Sequence, residues 1–419
     1  MVLLEAWSLE KIRRVLEAKD SQIVDRMMAL FYARFHNRPE SVDALAAGLW
    51  HESVLLRHEI AYVLGQMSQP SALPILIRLA NDLEEHAMVR HEAGEALHAL
   101  GVISDDVFKC VAQHLQDPCD PVRQTFELVQ IGLEKKLEKF RREQGQEQGH
   151  QEGHQEGHED GQEQGHQEGH EEGHQEGHEE GHEEGHEDGH EEGHEEGHED
   201  GHEDGHEEGH EEGTAEWSFK QVAAKPAADP SKGFYIFTAS ARKDDEAAVP
   251  AGFITTKDPA EGDVSRQKAE CVEDLGRTLC DETAPLWDRY VAMFTLRNIN
   301  TATAAWQLAL ALDEQSSALL RHEVCFVLGQ MQLPCCVDKL IERVADIKEA
   351  SMARHEAALA LGSVGADRWT PAGRQARSKA IRTLQEFSTD PDPIVAESCI
   401  VALSNIEWET GVSNDQLLD

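Results

Sequence analysis

The sequence has no stretch of 18 consecutive apolar residues and no basic segment followed by an apolar run near its start. An apolar stretch of that length marks a transmembrane helix, and a basic segment followed by an apolar run marks a secretory leader. We therefore expect a soluble, cytoplasmic protein with no membrane partner.

Basic residues are scarce. The chain has 38 Lys and Arg and 81 Asp and Glu, which gives a formal net charge of -43. Residues 143–213 hold 29 of the acidic groups and neither Lys nor Arg, so the other residues carry about -14. A moderately acidic protein is a poor partner for nucleic acid and suits a cationic one. The composition therefore predicts no nucleic-acid binding.

Several motifs with strong catalytic or metal signatures are also missing. The eight cysteines form no zinc-type pairs and no disulfide framework, which favours a reducing cytosol. His58 to Tyr62 and His91 to Glu95 begin like the HExxH helix of zinc peptidases but lack its second histidine. No glycine-rich phosphate loop and no nucleophile elbow appears.

What the chain has instead is an internal duplication. LLRHEIAYVLGQM at Leu55–Met67 recurs as LLRHEVCFVLGQM at Leu319–Met331. In the same way, Asp25–Arg34 resembles Asp288–Arg297, and low-complexity sequence separates the two copies. We therefore predict three regions, an N-terminal half, a spacer with linker, and a C-terminal half, over residues 1–142, 143–262 and 263–412.

Both halves show the pattern of stacked helices. Apolar residues recur at helical spacing, as at Leu73, Leu76 and Leu79. Breaks of Pro, Asp, Ser or Gly are typical of helical hairpins of the HEAT kind. The spacing of 33 residues from His58 to His91 is shorter than the usual HEAT period of about 40 to 47. The predicted fold is all-α, with short HEAT-like hairpin repeats in two duplicated halves that face each other.

The middle of the chain has a different composition. Residues 143–213 repeat short units such as GHEEGHEDGHEE, with Gly at about every fourth place. One glycine per helical turn costs about 1 kcal/mol against alanine, and neighbouring carboxylates repel one another. We therefore predict a long disordered acidic linker. Fifteen of the 24 histidines lie in it, which leaves nine for the rest of the chain.

The tripeptide Arg-His-Glu occurs twice in each half with the same spacing, and it contains both histidines of the second half. Neighbouring helices lie about 8 to 10 Å apart, so equivalent side chains on them can meet at one ion. If the halves face each other, four imidazoles and four carboxylates converge on one cleft. These candidate metal ligands are His58, Glu59, His91, Glu92, His322, Glu323, His355 and Glu356.

Mixed nitrogen and oxygen ligands suit iron or manganese, and two histidines with one carboxylate per metal leave positions open for oxygen. Successive helical residues point about 100° apart, so the Glu of each pair need not bind the same ion as its His. Some carboxylates are then free to bind a cationic substrate. Alternatively, the four histidines are core or capping residues that were copied with the repeat. The preceding arginines should form salt bridges; they are Arg57, Arg90, Arg321 and Arg354.

In these motifs the chain resembles the deoxyhypusine hydroxylase family. The resemblance is carried by LLRHEIAYVLGQM, MVRHEAGEALHALG, RYVAMFTLRN and LLRHEVCFVLGQM, and it covers about 1–140 and 265–410. The acidic spacer is longer than the linker expected between such halves. Val395–Glu397 also departs from Val122–Gln124. Neither departure touches the His-Glu motifs.

The resemblance implies a non-haem di-iron monooxygenase with two Fe(2+) per chain. Its substrate would be deoxyhypusine, a lysine side chain extended by an aminobutyl group, on translation initiation factor 5A. Hydroxylation with O2 and an external reductant would complete hypusine. The resemblance also implies two ligand sets, His58, His91 and Glu92 for one iron, and His322, His355 and Glu356 for the other.

Glu59 and Glu323, the candidate catalytic carboxylates, would then bind the amines of the substrate or contact the metal ligands without binding the metal themselves. Two other interpretations stay open. One is a di-metal hydrolase, which would hold a redox-inert metal and would not depend on oxygen. The other is a HEAT scaffold that only binds partners and holds no metal. We expect the protein to be a monomer.

Overall fold

The computed structural model describes residues 7–142, 257–258, 260–366 and 371–418. These residues form α-helices and short 3-10 turns, and no strand occurs among them. The predicted all-α fold is therefore confirmed. The predicted linker at 143–213 lies outside the described residues, and the three proposed regions stay a prediction. Within the described part of the chain, no helix is long and apolar enough to cross a membrane.

The first half contributes eight helices to the described part of the chain. They are α1 (Leu9–Glu17), α2 (Ile23–His36), α3 (Pro39–Ala46), α4 (Val54–Met67), α5 (Leu73–Asn81), α6 (Ala87–Leu100), α7 (Asp105–His114) and α8 (120–142). Short 3-10 turns at Ala47–Trp50 and Pro70–Ala72 lead into α4 and α5. The compact unit that holds the other described residues includes α8 only as far as residue 136.

The second half repeats this order and adds one short helix. Its helices are α9 (Val272–Cys280), α10 (Leu286–Ile299), α11 (Ala302–Leu310), α12 (Ala318–Met331), α13 (Val337–Ala345), α14 (Ser351–Gly365), α15 (Pro371–Phe387), α16 (Pro393–Thr410) and α17 (Asn414–Leu418). Helices α4 and α12 each have 14 residues. Each begins after a serine, Ser53 or Ser317, whose hydroxyl accepts a hydrogen bond from a backbone N–H of the first turn. The duplication predicted from the sequence is confirmed.

Helices α4 and α6 lie inside the repeat stack, and almost every residue of each is buried. Their close approach depends on Gly65. A Cβ atom at that position would lie 2.6 Å from the Cα of Ala96, which is closer than real Cβ contacts. Gly65 follows His58 by two helical turns, so both face α6. The close contact of the two helices therefore brings the His-Glu pairs of neighbouring repeats together.

The arginine before each His-Glu pair joins its repeat to a later turn of the chain. The four ion pairs are Arg57–Glu85, Arg90–Asp117, Arg321–Glu349 and Arg354–Asp390. Arg57 donates to both carboxylate oxygens of Glu85 at 2.8 Å, a bidentate arrangement that fixes both side chains. The predicted salt bridges are confirmed, and these arginines point away from the His-Glu pairs toward the turns.

Two matched hydrogen bonds join the halves. Ser53 Oγ donates to Glu397 Oε2 at 2.6 Å, and Ser317 Oγ donates to Gln124 Oε1 at 2.8 Å. The serines that cap α4 and α12 are therefore held by α16 and α8 of the opposite half. Because α4 and α12 carry His-Glu pairs, these contacts also set where the pairs of the two halves meet.

Candidate metal centre

The eight predicted ligands converge where the two halves meet. Helices α4 and α6 carry the four residues of the first half, and α12 and α14 carry those of the second. Each of the eight residues is at most 5% exposed. The structure therefore brings together every residue that the Arg-His-Glu tripeptides singled out.

The four imidazoles form one cluster. Within the halves, the ring centroids of His58 and His91 lie 5.6 Å apart, and those of His322 and His355 lie 5.3 Å apart. Between the halves, His58 lies 5.1 Å from His355, and His91 lies 5.1 Å from His322. Because the distances between halves are as short as those within, the rings do not separate into one pair per half.

None of the eight ring nitrogens of these histidines has a hydrogen-bond partner, although all are buried. Buried polar atoms without partners are rare, and each costs free energy. The polar atoms nearest to these nitrogens are carboxylate oxygens of the adjoining glutamates, as at 3.3 Å between His58 Nε2 and Glu92 Oε2. A cation with affinity for imidazole nitrogen and carboxylate oxygen would satisfy them, and iron and manganese are such cations. The residues present therefore fit a metal site.

Three sets of side chains in the described part of the chain have ligand atoms within 4.8 Å of one another. They are His58 with His91 and His322, His322 with His355 and Glu356, and His91 with Glu92 and Glu95. Glu59 and Glu323 belong to none of these sets. Their Oε1 atoms each lie 3.3 Å from the Nδ1 of the histidine that precedes them, His58 or His322. The four predicted carboxylates thus occupy two different kinds of position.

Burial and charge shift the pKa values in the cluster in opposite directions. Burial, reinforced by the neighbouring imidazoles, lowers the pKa of His91 and His355 well below the usual value. Burial also lowers the pKa of His58, but the carboxylates of Glu59 and Glu92 outweigh it and raise that pKa to about 10. Strongly shifted pKa values in one cluster are typical of functional sites.

A cleft with an empty volume of about 540 Å³, partly open to solvent, leads to the imidazoles. Its wall contains eight residues that the tripeptide pattern did not identify, namely Tyr62, Gln66, Glu95, Ala96, Ala99, Lys257, Asp258 and Phe326. Glu95 follows His91 by four residues, which places both on one helical face. The sequence signal for Glu95 was this spacing, in the segment from His91 to Glu95 that matches HExxH except for its last residue. Burial and the charge of Glu323 raise the pKa of Glu95 well above its usual value.

Lys257 and Asp258, which precede the second half, cover part of this cleft. The backbone N–H of Lys257 donates to Gln66 Oε1 at 2.9 Å, and Gln66 Nε2 donates to the Lys257 carbonyl at 3.3 Å. Asp258 forms an ion pair with Arg297 at 2.6 Å. These contacts join residues far apart in the sequence, so no local pattern could have predicted them.

Two other buried histidines lie outside the cluster. His114 bonds the backbone carbonyls of Cys110 and Ala80, each at 2.8 Å, which is a packing role. His98 has no hydrogen-bond partner on either ring nitrogen. Burial, with a smaller effect of the Lys136 charge, lowers the pKa of His98 to about 3. His98 is therefore a neutral core residue.

Comparison with known proteins gives matches along almost the whole chain. A family model described as HEAT repeats matches residues 9–97 and 42–129. A deoxyhypusine hydroxylase of Rattus norvegicus is 30% identical over 405 residues, which cover 96% of this chain and 93% of that protein. One of Drosophila melanogaster is 27% identical over 401 residues, with 96% and 92% covered.

A solved structure also matches the chain. It is the structure of human deoxyhypusine hydroxylase in complex with glycerol, with a TM-score of 0.61 and 28% sequence identity. The match covers 95% of this chain and 96% of that one. The similarity therefore extends over both halves and is not confined to a single repeat.

Proposed function

Because the chain belongs to the deoxyhypusine hydroxylase family, we propose that it hydroxylates deoxyhypusine on translation initiation factor 5A at a pair of iron ions. The observation that carries this proposal is the cluster of four buried imidazoles whose eight ring nitrogens have no hydrogen-bond partner. The cluster lies at the end of a partly acidic cleft, and a cationic side chain suits such a cleft.

Six side chains would hold the metals. They are the four histidines and the two carboxylates that directly follow His91 and His355, each of which belongs to a set of mutually close ligand atoms: His58, His91, Glu92, His322, His355 and Glu356. Two iron ions held there would supply the activation of O2. In the overall reaction, one oxygen atom of O2 enters a C–H bond of the side chain. The other becomes water with two electrons and two protons from an external reductant.

The chain's own carboxylates would position the substrate. Deoxyhypusine carries a secondary and a primary amine, both cationic at neutral pH. We assign Glu59 and Glu323 to these amines, because both line the cleft and neither belongs to a set of mutually close ligand atoms. Holding a flexible chain so that one carbon faces the metals can lower the barrier by several kcal/mol, on the order of 7 in favourable cases.

The composition of the protein suits such a substrate. The excess of acidic groups would attract a basic protein surface to the cleft, more strongly at low salt. All eight cysteines are free thiols, which is in keeping with the proposed reducing, cytoplasmic location. Tyr62 and Phe326, both in the cleft wall, lie edge to face with ring centroids 6.2 Å apart, so they would limit the width available to the entering side chain.

The proposal is tested by metal analysis and an assay on the same protein. We expect two irons per chain, and we expect a deoxyhypusine peptide to gain one oxygen atom only when O2 and a reductant are present. The full chain and a variant without residues 143–213 should be compared, since the spacer histidines could hold extra metal. Zinc with no dependence on oxygen would favour a di-metal hydrolase, and absence of metal would favour an interaction scaffold.

A further inference from the structure

The two halves differ at one carboxylate in the wall of the cleft. Glu95 on α6 lines the cleft, whereas its counterpart in the second half is Leu359 on α14, which is fully buried and does not line it. The flanking helices otherwise keep the same pattern, with His91 matched by His355. The cleft therefore has an acidic group on one side that has no equivalent on the other.

The surroundings of Glu95 provide no partner for one of its oxygens. Its Oε1 atom is buried without a hydrogen bond, and the nearest imidazole nitrogen, Nδ1 of His91, lies 3.9 Å away. That distance exceeds the range of a hydrogen bond. The neighbouring carboxyl group is that of Glu323 from the opposite half, which lines the same cleft. Its negative charge acts on the carboxyl group of Glu95. Two adjacent carboxylates repel each other unless a cation or a proton lies between them.

Two phenols near the centre have hydroxyls without a hydrogen-bond partner, Tyr62 and Tyr290. Tyr290 on α10 is completely buried and is not part of the cleft wall. Tyr62 is part of that wall and follows Glu59 by three residues on α4, which places both on one helical face. The phenol in the cleft therefore belongs to the side of Glu59.

The two sides of the cleft therefore differ in their polar groups. The side of Glu323 has Glu95 where the duplication places Leu359, and the side of Glu59 has Tyr62 where it places Phe326. A primary ammonium has three N–H donors and can bind three acceptors, whereas a secondary ammonium has two. The four oxygens of Glu95 and Glu323 suit the primary ammonium, and Glu59 with Tyr62 suits the secondary one.

We propose, resting on the proposed function, that Glu95 and Glu323 together bind the terminal primary ammonium of the deoxyhypusine side chain. A centre with only Glu59 and Glu323 would be nearly symmetric and would accept the two amines in either order. Glu95 removes this ambiguity, so that the side chain lies in one direction and presents one carbon to the metals.

Binding measurements on the full chain, without O2 so that no turnover occurs, test this role. The first probe is the blocked amino acid deoxyhypusine, and the second is the same compound with a butyl group in place of the aminobutyl group. Wild-type protein should bind the first probe at least tenfold more tightly than the second, since a charged hydrogen bond is worth about 1.5–3 kcal/mol. Glu95→Gln and Glu95→Leu should lose most of this ratio and keep the iron content of the wild type.

Glu84→Gln is the matched control, because Glu84 is an exposed carboxylate outside the cleft; it should keep the full ratio. Glu95→Leu introduces the residue that the second half already has at this place, so it should fold. An unchanged ratio in both Glu95 variants would overturn the proposal. Loss of iron in both would also overturn it, because Glu95 would then be a metal ligand. If the wild type shows no preference for the aminobutyl probe, the proposed function itself fails.

Discussion

His58 and His355 come from opposite halves of the chain, yet their ring centroids lie 5.1 Å apart. The cluster they belong to exists only when the two halves are in contact. An ion bound by such a cluster stabilises the folded state and the contact between halves together. Metal content, catalytic activity and stability should therefore change together in variants of the cluster.

Replacement of any one of His58, His91, His322 or His355 by alanine should remove at least one iron per chain and abolish hydroxylation. Each imidazole is one of few ligands, and no neighbouring side chain can replace it. The measurement is iron per chain by elemental analysis, on protein without residues 143–213. His36→Ala serves as the control, since His36 bonds the Trp7 carbonyl away from the cluster. Full iron content in all four variants would contradict a shared centre.

Glu59→Gln and Glu323→Gln should keep their iron and lose activity by about tenfold or more, which corresponds to one charge-assisted hydrogen bond to the substrate. Glutamine keeps the shape of the side chain and removes the negative charge. The comparison is with Glu92→Gln, which should lose iron because Glu92 is one of the two carboxylates assigned to the metals. Equal loss of iron in all three variants would mean that Glu59 and Glu323 also bind metal.

His98→Leu should make the metal-free protein less sensitive to acid. The pKa of His98 is lowered to about 3 in the folded protein, from its usual value of 6.5. As the pH falls below 6.5, His98 therefore binds a proton in the unfolded chain but not in the folded protein. The free energy of unfolding decreases for this reason until about pH 3, where the folded protein binds the proton too. Between pH 7 and 5 this effect amounts to about 2 kcal/mol.

Urea unfolding of the wild type and of His98→Leu at pH 7, 6 and 5 measures this difference. A chelator keeps metal release out of the comparison. The variant should lose less free energy of unfolding than the wild type over this range, because leucine cannot bind a proton. Parallel losses in both proteins would show that His98 is not kept neutral by the fold.

Gly65→Ala should destabilise the protein by about 1–3 kcal/mol, because the added methyl group would overlap the α6 backbone at Ala96. It should also weaken metal binding, since it separates α4 from α6. Gly101→Ala is the comparison, because it has open space but a φ of +74°, and it should cost about 1 kcal/mol with no effect on metal. Thermal unfolding and iron content measure both effects. Equal iron content in the two variants would contradict the role of Gly65.

Deletion of residues 143–213 should leave the iron content of the cluster and the rate of hydroxylation largely unchanged. The segment contains glycine at about every fourth place and 29 acidic groups, a composition that cannot bury a core. The rate on a short peptide and on the intact protein substrate should be measured for both chains. A large loss with the intact substrate alone would mean that the spacer takes part in substrate capture.

Much of the fold was accessible from the sequence because its signals are local. The recurrence of LLRHE predicted equal helices, and α4 and α12 indeed have the same length. The His-Glu pairs also stood out, because polar residues in an apolar helix must meet a partner. Glu95 was missed as a site residue because it differs from the repeated pattern, and Asp258 because its contacts are distant in sequence.

The sequence by itself determined the helical repeats, the duplication and the eight side chains that converge, since periodicity and composition act over a few residues. Only the tertiary structure decided how the two halves combine. It makes the distance from His58 to His355 slightly shorter than that from His58 to His91, and it places Glu95 of one half and Glu323 of the other in the wall of the same cleft. The physical reason is that such contacts depend on the packing of complete helices, which no short stretch of sequence specifies.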